Sequence, residues 1–94
     1  MNTTVISGVI YKINPEERYA DFVKRIFWVQ ELNKKHPNTW QLEMWHDDTM
    51  ILQHFKIHDI VRCEVTVKGK IWDNRHAGKE SVIIILKCDK ISKL

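Results

Sequence analysis

The sequence predicts an all-β fold: a five-stranded Greek-key barrel with one short helix between strands three and four. Three observations carry that prediction. Residues 40–45 alternate Trp40, Leu42 and Met44 against Gln41, Glu43 and Trp45, the period of a strand. A helical pattern follows, in which Asp47 or Asp48 offers an N-cap oxygen and Met50, Ile51, Leu52 and Phe55 form an apolar stripe. After the break at Lys56-Ile57-His58-Asp59, Val61, Cys63, Val65, Val67 and Ile71 alternate with Arg62, Glu64, Thr66, Lys68, Lys70 and Trp72, a long half-buried strand. A helix placed between the third and fourth strands of a small β-chain points to the OB-fold.

The other elements follow in order. Residues 5–13 read as the first strand, with Gly8 inside it, where glycine marks a bulge or the close approach of another backbone. Asn14-Pro15-Glu16-Glu17-Arg18 is rich in strand breakers and forms the first loop. The second strand spans residues 20–31. One side carries Phe22, Lys24, Ile26, Trp28 and Gln30, the other Val23, Arg25, Phe27 and Val29, so both faces are expected to be half covered. Residues 33–38 form a polar loop stopped by Pro37, and residues 73–79 a hairpin connection. The fifth strand runs from about Glu80 to Ile91. Its Val82-Ile83-Ile84-Ile85-Leu86 run has no polar alternation, which suits a strand covered on both sides: by the core, and by the helix, a terminus or a second subunit. Residues 90–94 are expected to fray.

Composition narrows the class. Ninety-four residues favour one domain, residues 1–94, because a core split at this length leaves each half marginal. Hydrophobic residues make up 44% and charged residues 29%, which excludes a disordered chain. The net charge of +3 permits an anionic partner without demanding one. Cys63 and Cys88 lie among Val and Leu in strands and read as buried, reduced thiols; a disulfide requires the two strands to pair in register. The N-terminal residues do not read as a signal peptide, and no apolar run reaches membrane-spanning length, so the expected location is the cytoplasm, away from membranes.

The runs KRIFWV (residues 24–29) and LEMWHD (42–47), then LQHFK (52–56) with Asp59-Ile60-Val61, resemble a family of small uncharacterised bacterial and phage proteins. That family is regarded as OB-fold and similar to single-stranded-DNA-binding proteins. The resemblance covers roughly residues 5–91 and rests on short, mostly structural motifs. It implies the fold and nucleic-acid binding, with no catalytic residue. The chain departs from the family pattern at His58, where glycine is usual, so that turn has changed type or His58 accepts an uncommon backbone angle. Asp73-Asn74-Arg75 also replaces a tighter Asn-Gly turn.

Binding a single strand requires cations that follow phosphates and flat side chains on which bases stack. The residues supplying both are Lys24, Trp28, Trp45, Lys68, Lys70, Trp72, Arg75 and Lys79, with Arg18 and Tyr19 decorating the first loop. Trp40 shares parity with Leu42 and Met44 and is read as core. The bland alternative is that the tryptophans fill a small barrel or a subunit interface, while the lysines solvate strand faces. His54 and His58 are four apart, but Lys56-Ile57-His58-Asp59 reads as an exit turn and no cysteine is near, so no metal or other cofactor is expected. No Gly-rich phosphate loop, nucleophile elbow or His-Glu-x-x-His occurs, and no enzyme activity is expected. The expected function is therefore binding of single-stranded DNA, with RNA as an alternative ligand and weak sequence preference, in replication, recombination or repair. One module offers a short groove, so a homo-oligomer is expected. The rival is an OB-fold assembly subunit whose aromatic face meets a protein partner, a reading favoured by Glu43 and Glu64 amid the candidate faces.

Overall fold

The computed structural model describes residues 1–74 and 78–94. Among them the order is β1 (Asn2–Ile13), β2 (Glu17–Tyr19), β3 (Phe22–Gln30), β4 (Thr39–Trp45), a 3₁₀ helix (His46–His54), β5 (Ile60–Asn74) and β6 (Lys79–Lys93). β1 pairs with β5 along its first part and with β3 along its last, so the order β1-β5-β6-β4-β3 closes on itself. Every pairing is antiparallel except β4 with β6, which are parallel through Leu42↔Leu86 and Glu43↔Lys87. This is the predicted Greek-key barrel with its helix after the third long strand.

Strand parity builds the core. Ile6 and Ile10 of β1, Phe27 and Val29 of β3, Leu42 and Met44 of β4, and Val61, Cys63 and Val65 of β5 all point inward and are buried. Cys88 and Ile91 of β6 join them, and both cysteines are free thiols. Trp40 packs against this core from its edge. Gly8 lies on β1 just before the chain passes from β5 to β3. Truncating a side chain as central as Phe27 costs about 3–5 kcal/mol.

Four expectations are corrected. The first loop contains a short strand: Ala20, at φ 49°, lets β2 fold back on β3 through Glu17↔Lys24 and Tyr19↔Phe22, so Arg18 and Tyr19 belong to a hairpin. The helix stands where it was expected, wound as 3₁₀, and what changes is its apolar stripe and its capping. Three residues per turn align Thr49, Leu52 and Phe55 toward the barrel and leave Met50 and Ile51 outside the core. Asp47 and Asp48 occupy its first turn without capping it; Trp45 is the N-cap, with no side-chain bond, and the Thr49 hydroxyl donates to the His46 carbonyl at 2.8 Å. The chain end does not fray: β6 is paired to Lys93, and the Leu94 amide donates to the Ile60 carbonyl at 2.9 Å.

The fourth correction concerns the apolar run of β6. Among the described residues β4 pairs with β6 at Leu42 and Glu43, and beyond Ile85 β6 has β5 as its one strand partner. The two continue as an arm from Lys68↔Ile85 out to Asn74↔Lys79, and Val82, Ile83 and Ile84 are exposed, not covered. At the other departure point His58 takes the uncommon angle, φ 83°. Its amide donates to the Ile10 carbonyl, and the Ile10 amide donates to the Asp59 carbonyl, both at 2.9 Å. The turn is thereby stitched to β1.

Candidate functional site

In β3 and β4 the residues opposite to the core set point outward, and the register aligns them. Lys24 stands across from Trp45, and Trp28 across from Gln41. The two tryptophans are thus four residues apart along the sheet, roughly 13 Å at strand rise. Both are half buried. The Trp28 indole N–H donates to Gln41 Oε1 at 3.1 Å, and that of Trp45 to Glu43 Oε1 at 3.0 Å. Each indole N–H is therefore anchored by a neighbour on β4.

Cations gather on both rings. Lys68 Nζ of β5 lies 5.6 Å from the Trp45 ring centre and Lys87 Nζ of β6 lies 5.3 Å from it. Phe22 meets the same ring edge-on at 5.3 Å. Lys12 Nζ stands 4.8 Å from the Trp28 ring, and the Tyr11 ring lies parallel to it, 9° between planes and 6.3 Å between centres. A bulge explains the second cluster. Between Ile10↔Val29 and Lys12↔Trp28 the β1 strand carries one extra residue, Tyr11, so two consecutive side chains of β1 reach the Trp28 side.

Electrostatics on this face is mixed. Lys24 Nζ sits 5.8 Å from the Tyr19 ring, whose hydroxyl donates to Glu17 Oε1 at 2.7 Å; that hydrogen bond and the Glu17 charge raise the Tyr19 pKa. Asp89 is the extra residue in β6 between Glu64↔Lys90 and Val65↔Cys88. It accepts from the Thr66 hydroxyl and from Lys87 Nζ. Burial pushes its carboxyl pKa up, but those two hydrogen bonds and the charges of Lys87 and Lys68 outweigh that and hold it below the ordinary value. A shallow hollow of about 290 Å³ opens beside Trp28, Thr39 and Gln41.

The predicted residues fall on one parity. Lys24, Trp28 and Trp45 line the outer face of β3 and β4, and Lys68 reaches it from β5. Lys70 and Trp72 share the face of Lys68 and continue along the arm, and Lys79, paired with Asn74, closes that row. Arg75 lies outside the described residues. Sequence reasoning missed Tyr11, Lys12 and Lys87. Lys87 could have been found from its alternation with Leu86 and Cys88, but Tyr11 and Lys12 depend on a bulge with no sequence mark. Among the described residues no three His, Cys, Asp or Glu side chains form a metal-binding cluster, and no helix is long and apolar enough to cross a membrane.

Comparison with solved structures settles the fold. The mitochondrial single-stranded DNA binding protein Rim1 of S. cerevisiae aligns with a TM-score of 0.76 at 14% identity, over 99% of this chain and 94% of that one. A selenomethionine-labelled crystal structure of the same protein aligns at 0.74 and 11% identity, over the same shares of the two chains. The SSB domain of a protein from Synechococcus sp. aligns at 0.66 and 18% identity, over 97% of this chain and 93% of that one. The chain has the OB-fold of single-stranded DNA binding proteins. No family model matches it, and no curated protein matches its sequence.

Proposed function

We propose that this chain binds single-stranded DNA, without catalysis, on the outer face of β3 and β4 and along the Lys68–Lys70–Trp72 side of the arm. The observation that carries the reading is the pairing of each flat ring with a cation: Trp45 with Lys68 and Lys87, Trp28 with Lys12. A base can stack on such a ring while the neighbouring ammonium neutralises a phosphate of the same strand. Arg75 and Lys79 extend the basic row in the sequence, and Lys24, across from Trp45, adds a charge at that end of the face. The fold shared with single-stranded DNA binding proteins supports the same ligand class. One module offers a short groove, so copies act together.

A second reading has its own observation. Glu43 is buried at the centre of the face and the arm exposes aliphatic side chains, as on a surface that meets protein. Salt separates the two, because phosphate binding releases counterions and an aromatic protein contact does not. The test is a titration of tryptophan fluorescence with a thymine-only strand at low and moderate salt. Saturable quenching reversed by salt is expected. A folded protein that shows no change at low salt overturns the DNA reading.

A further inference from the structure

The Trp45 ring shares one of its cations with a carboxylate. Lys87 Nζ, 5.3 Å from the ring centre, also donates to Asp89 Oδ1 at 3.1 Å, and the Lys87 side chain is only 25% exposed. The other oxygen of Asp89 accepts from the hydroxyl of Thr66, a buried residue of β5, so the carboxylate is anchored from that side. The bulge of β6 sets its direction. Cys88 and Ile91 both point into the core, and the two residues between them, Asp89 and Lys90, turn outward together. Lys68, the second cation of the ring, also stabilises the Asp89 charge. A negative charge is thus built in beside the cations proposed to meet phosphate.

We propose that Asp89 is a built-in counterion of the Trp45 site, holding on Lys87 the place that a backbone phosphate takes when a strand binds, so that it limits the affinity of the face. This rests on the strand-binding function proposed above. A carboxylate and a phosphate oxygen are both anionic acceptors, and they compete for one ammonium. Lysine carries three N–H donors on a compact charge, so it reaches both anions at once only by bringing them within a few ångströms of each other, where they repel. A strand that engages Lys87 therefore loosens the pair with Asp89 or works against that repulsion, and either way it binds less tightly than the rings and cations alone allow. In the free protein the same pair keeps the ammonium beside the ring and supports the fold. Asp89 thus favours the stability of the barrel over the strength of its binding face. The sign of its effect separates this role from a merely structural one. Removing a residue that only braces the site weakens binding, whereas removing a competitor strengthens it.

The experiment is a fluorescence titration with a thymine-only strand at low salt, on the wild type, Asp89→Asn, Lys87→Ala and the double variant. The amide keeps the shape of the side chain and an acceptor for Thr66, and loses the charge. Asp89→Asn is expected to bind about three- to tenfold more tightly than the wild type, the effect of one charge a few ångströms away and partly screened by water. In the Lys87→Ala background the same change is expected to shift affinity by less than about twofold, because the ammonium that Asp89 holds is gone. Asp89→Ser replaces the amide variant if circular dichroism shows it to be unfolded. Folded Asp89→Asn protein that binds as the wild type does, or more weakly, overturns the proposal and leaves strand binding standing. So does an equal gain with and without Lys87, which would make Asp89 a general repulsive charge. A folded wild-type protein that binds no strand at low salt overturns the strand-binding function and this proposal with it.

Discussion

A Cβ atom placed on Gly8 would lie 2.2 Å from the carbonyl oxygen of Gln30. That oxygen belongs to backbone, so no side-chain rotation relieves the clash. The barrel closes between β1 and β3 at this point, and only glycine allows the two chains so near. Gly8→Ala is therefore expected to lower stability by at least about 2 kcal/mol in urea unfolding. A loss below a few tenths would mean that closure does not depend on this approach.

The ring-and-cation pairs make separable predictions for strand binding. Trp45→Ala is expected to weaken binding of a thymine-only strand by about 1–3 kcal/mol at every salt concentration. On the proposed function, Lys87→Ala and Lys68→Ala would each remove one phosphate contact, so each is expected to reduce the slope of log affinity against log salt by about one. Titrations at four salt concentrations measure both effects.

His58 holds a left-handed backbone angle, φ 83°, that costs an L-residue about 1–2 kcal/mol. Its amide bond to Ile10 is a backbone bond and survives substitution. His58→Gly is expected to gain about 0.5–1 kcal/mol after the larger unfolded-state entropy of glycine is subtracted. His58→Ala is expected to show no gain. Thermal unfolding of the two variants side by side decides it.

Cys63 and Cys88 are both fully buried, and the Cys88 thiol is held far above the usual range by its hydrogen bond with Cys63 and by burial. The thiolate is the reactive form. Neither thiol is expected to react with an aromatic disulfide reagent in the native protein at pH 8, and both are expected to react once guanidine unfolds it. Rapid native labelling of either would show that β5 and β6 open readily.

Asp89 gives a pH dependence of known sign. Its folded pKa is held below the ordinary 3.8 because hydrogen bonds from Thr66 and Lys87 outweigh its desolvation. The stability it contributes is present above the unfolded value and is lost as pH falls through the folded one. The Asp89 side chain is 41% exposed, so solvent screening keeps the contribution under about 1 kcal/mol. Asp89→Asn is expected to unfold at a lower temperature than the wild type at pH 7, with the difference shrinking only below about pH 4. A constant difference down to pH 2 would assign the effect to shape, not charge.

Much of this was legible before any coordinates. Side-chain direction in a strand alternates residue by residue, a local property, so Leu42 and Met44 read as core, and Trp28 and Trp45 fell on the parity opposite Phe27, Val29, Leu42 and Met44, directly from spacing; which face of the Phe22–Gln30 strand is buried was open until the barrel closed on Phe27 and Val29. Gly8 was legible in part: inside a strand glycine marks a bulge or the close approach of another backbone, and the structure shows the second. What spacing does not contain is how long each strand keeps its neighbours. Whether Val82–Ile84 would be core or exposed arm depended on where β4 stops pairing with β6, a contact between residues more than forty apart in sequence. The same holds for the 3₁₀ winding that turned Met50 and Ile51 away from the core, and for the β1 bulge that brought Tyr11 and Lys12 to Trp28. The sequence by itself determined which way the strand residues face, because that is local geometry. Only the tertiary structure decided which side chains meet across strands, because register and pairing length are settled by the whole barrel at once.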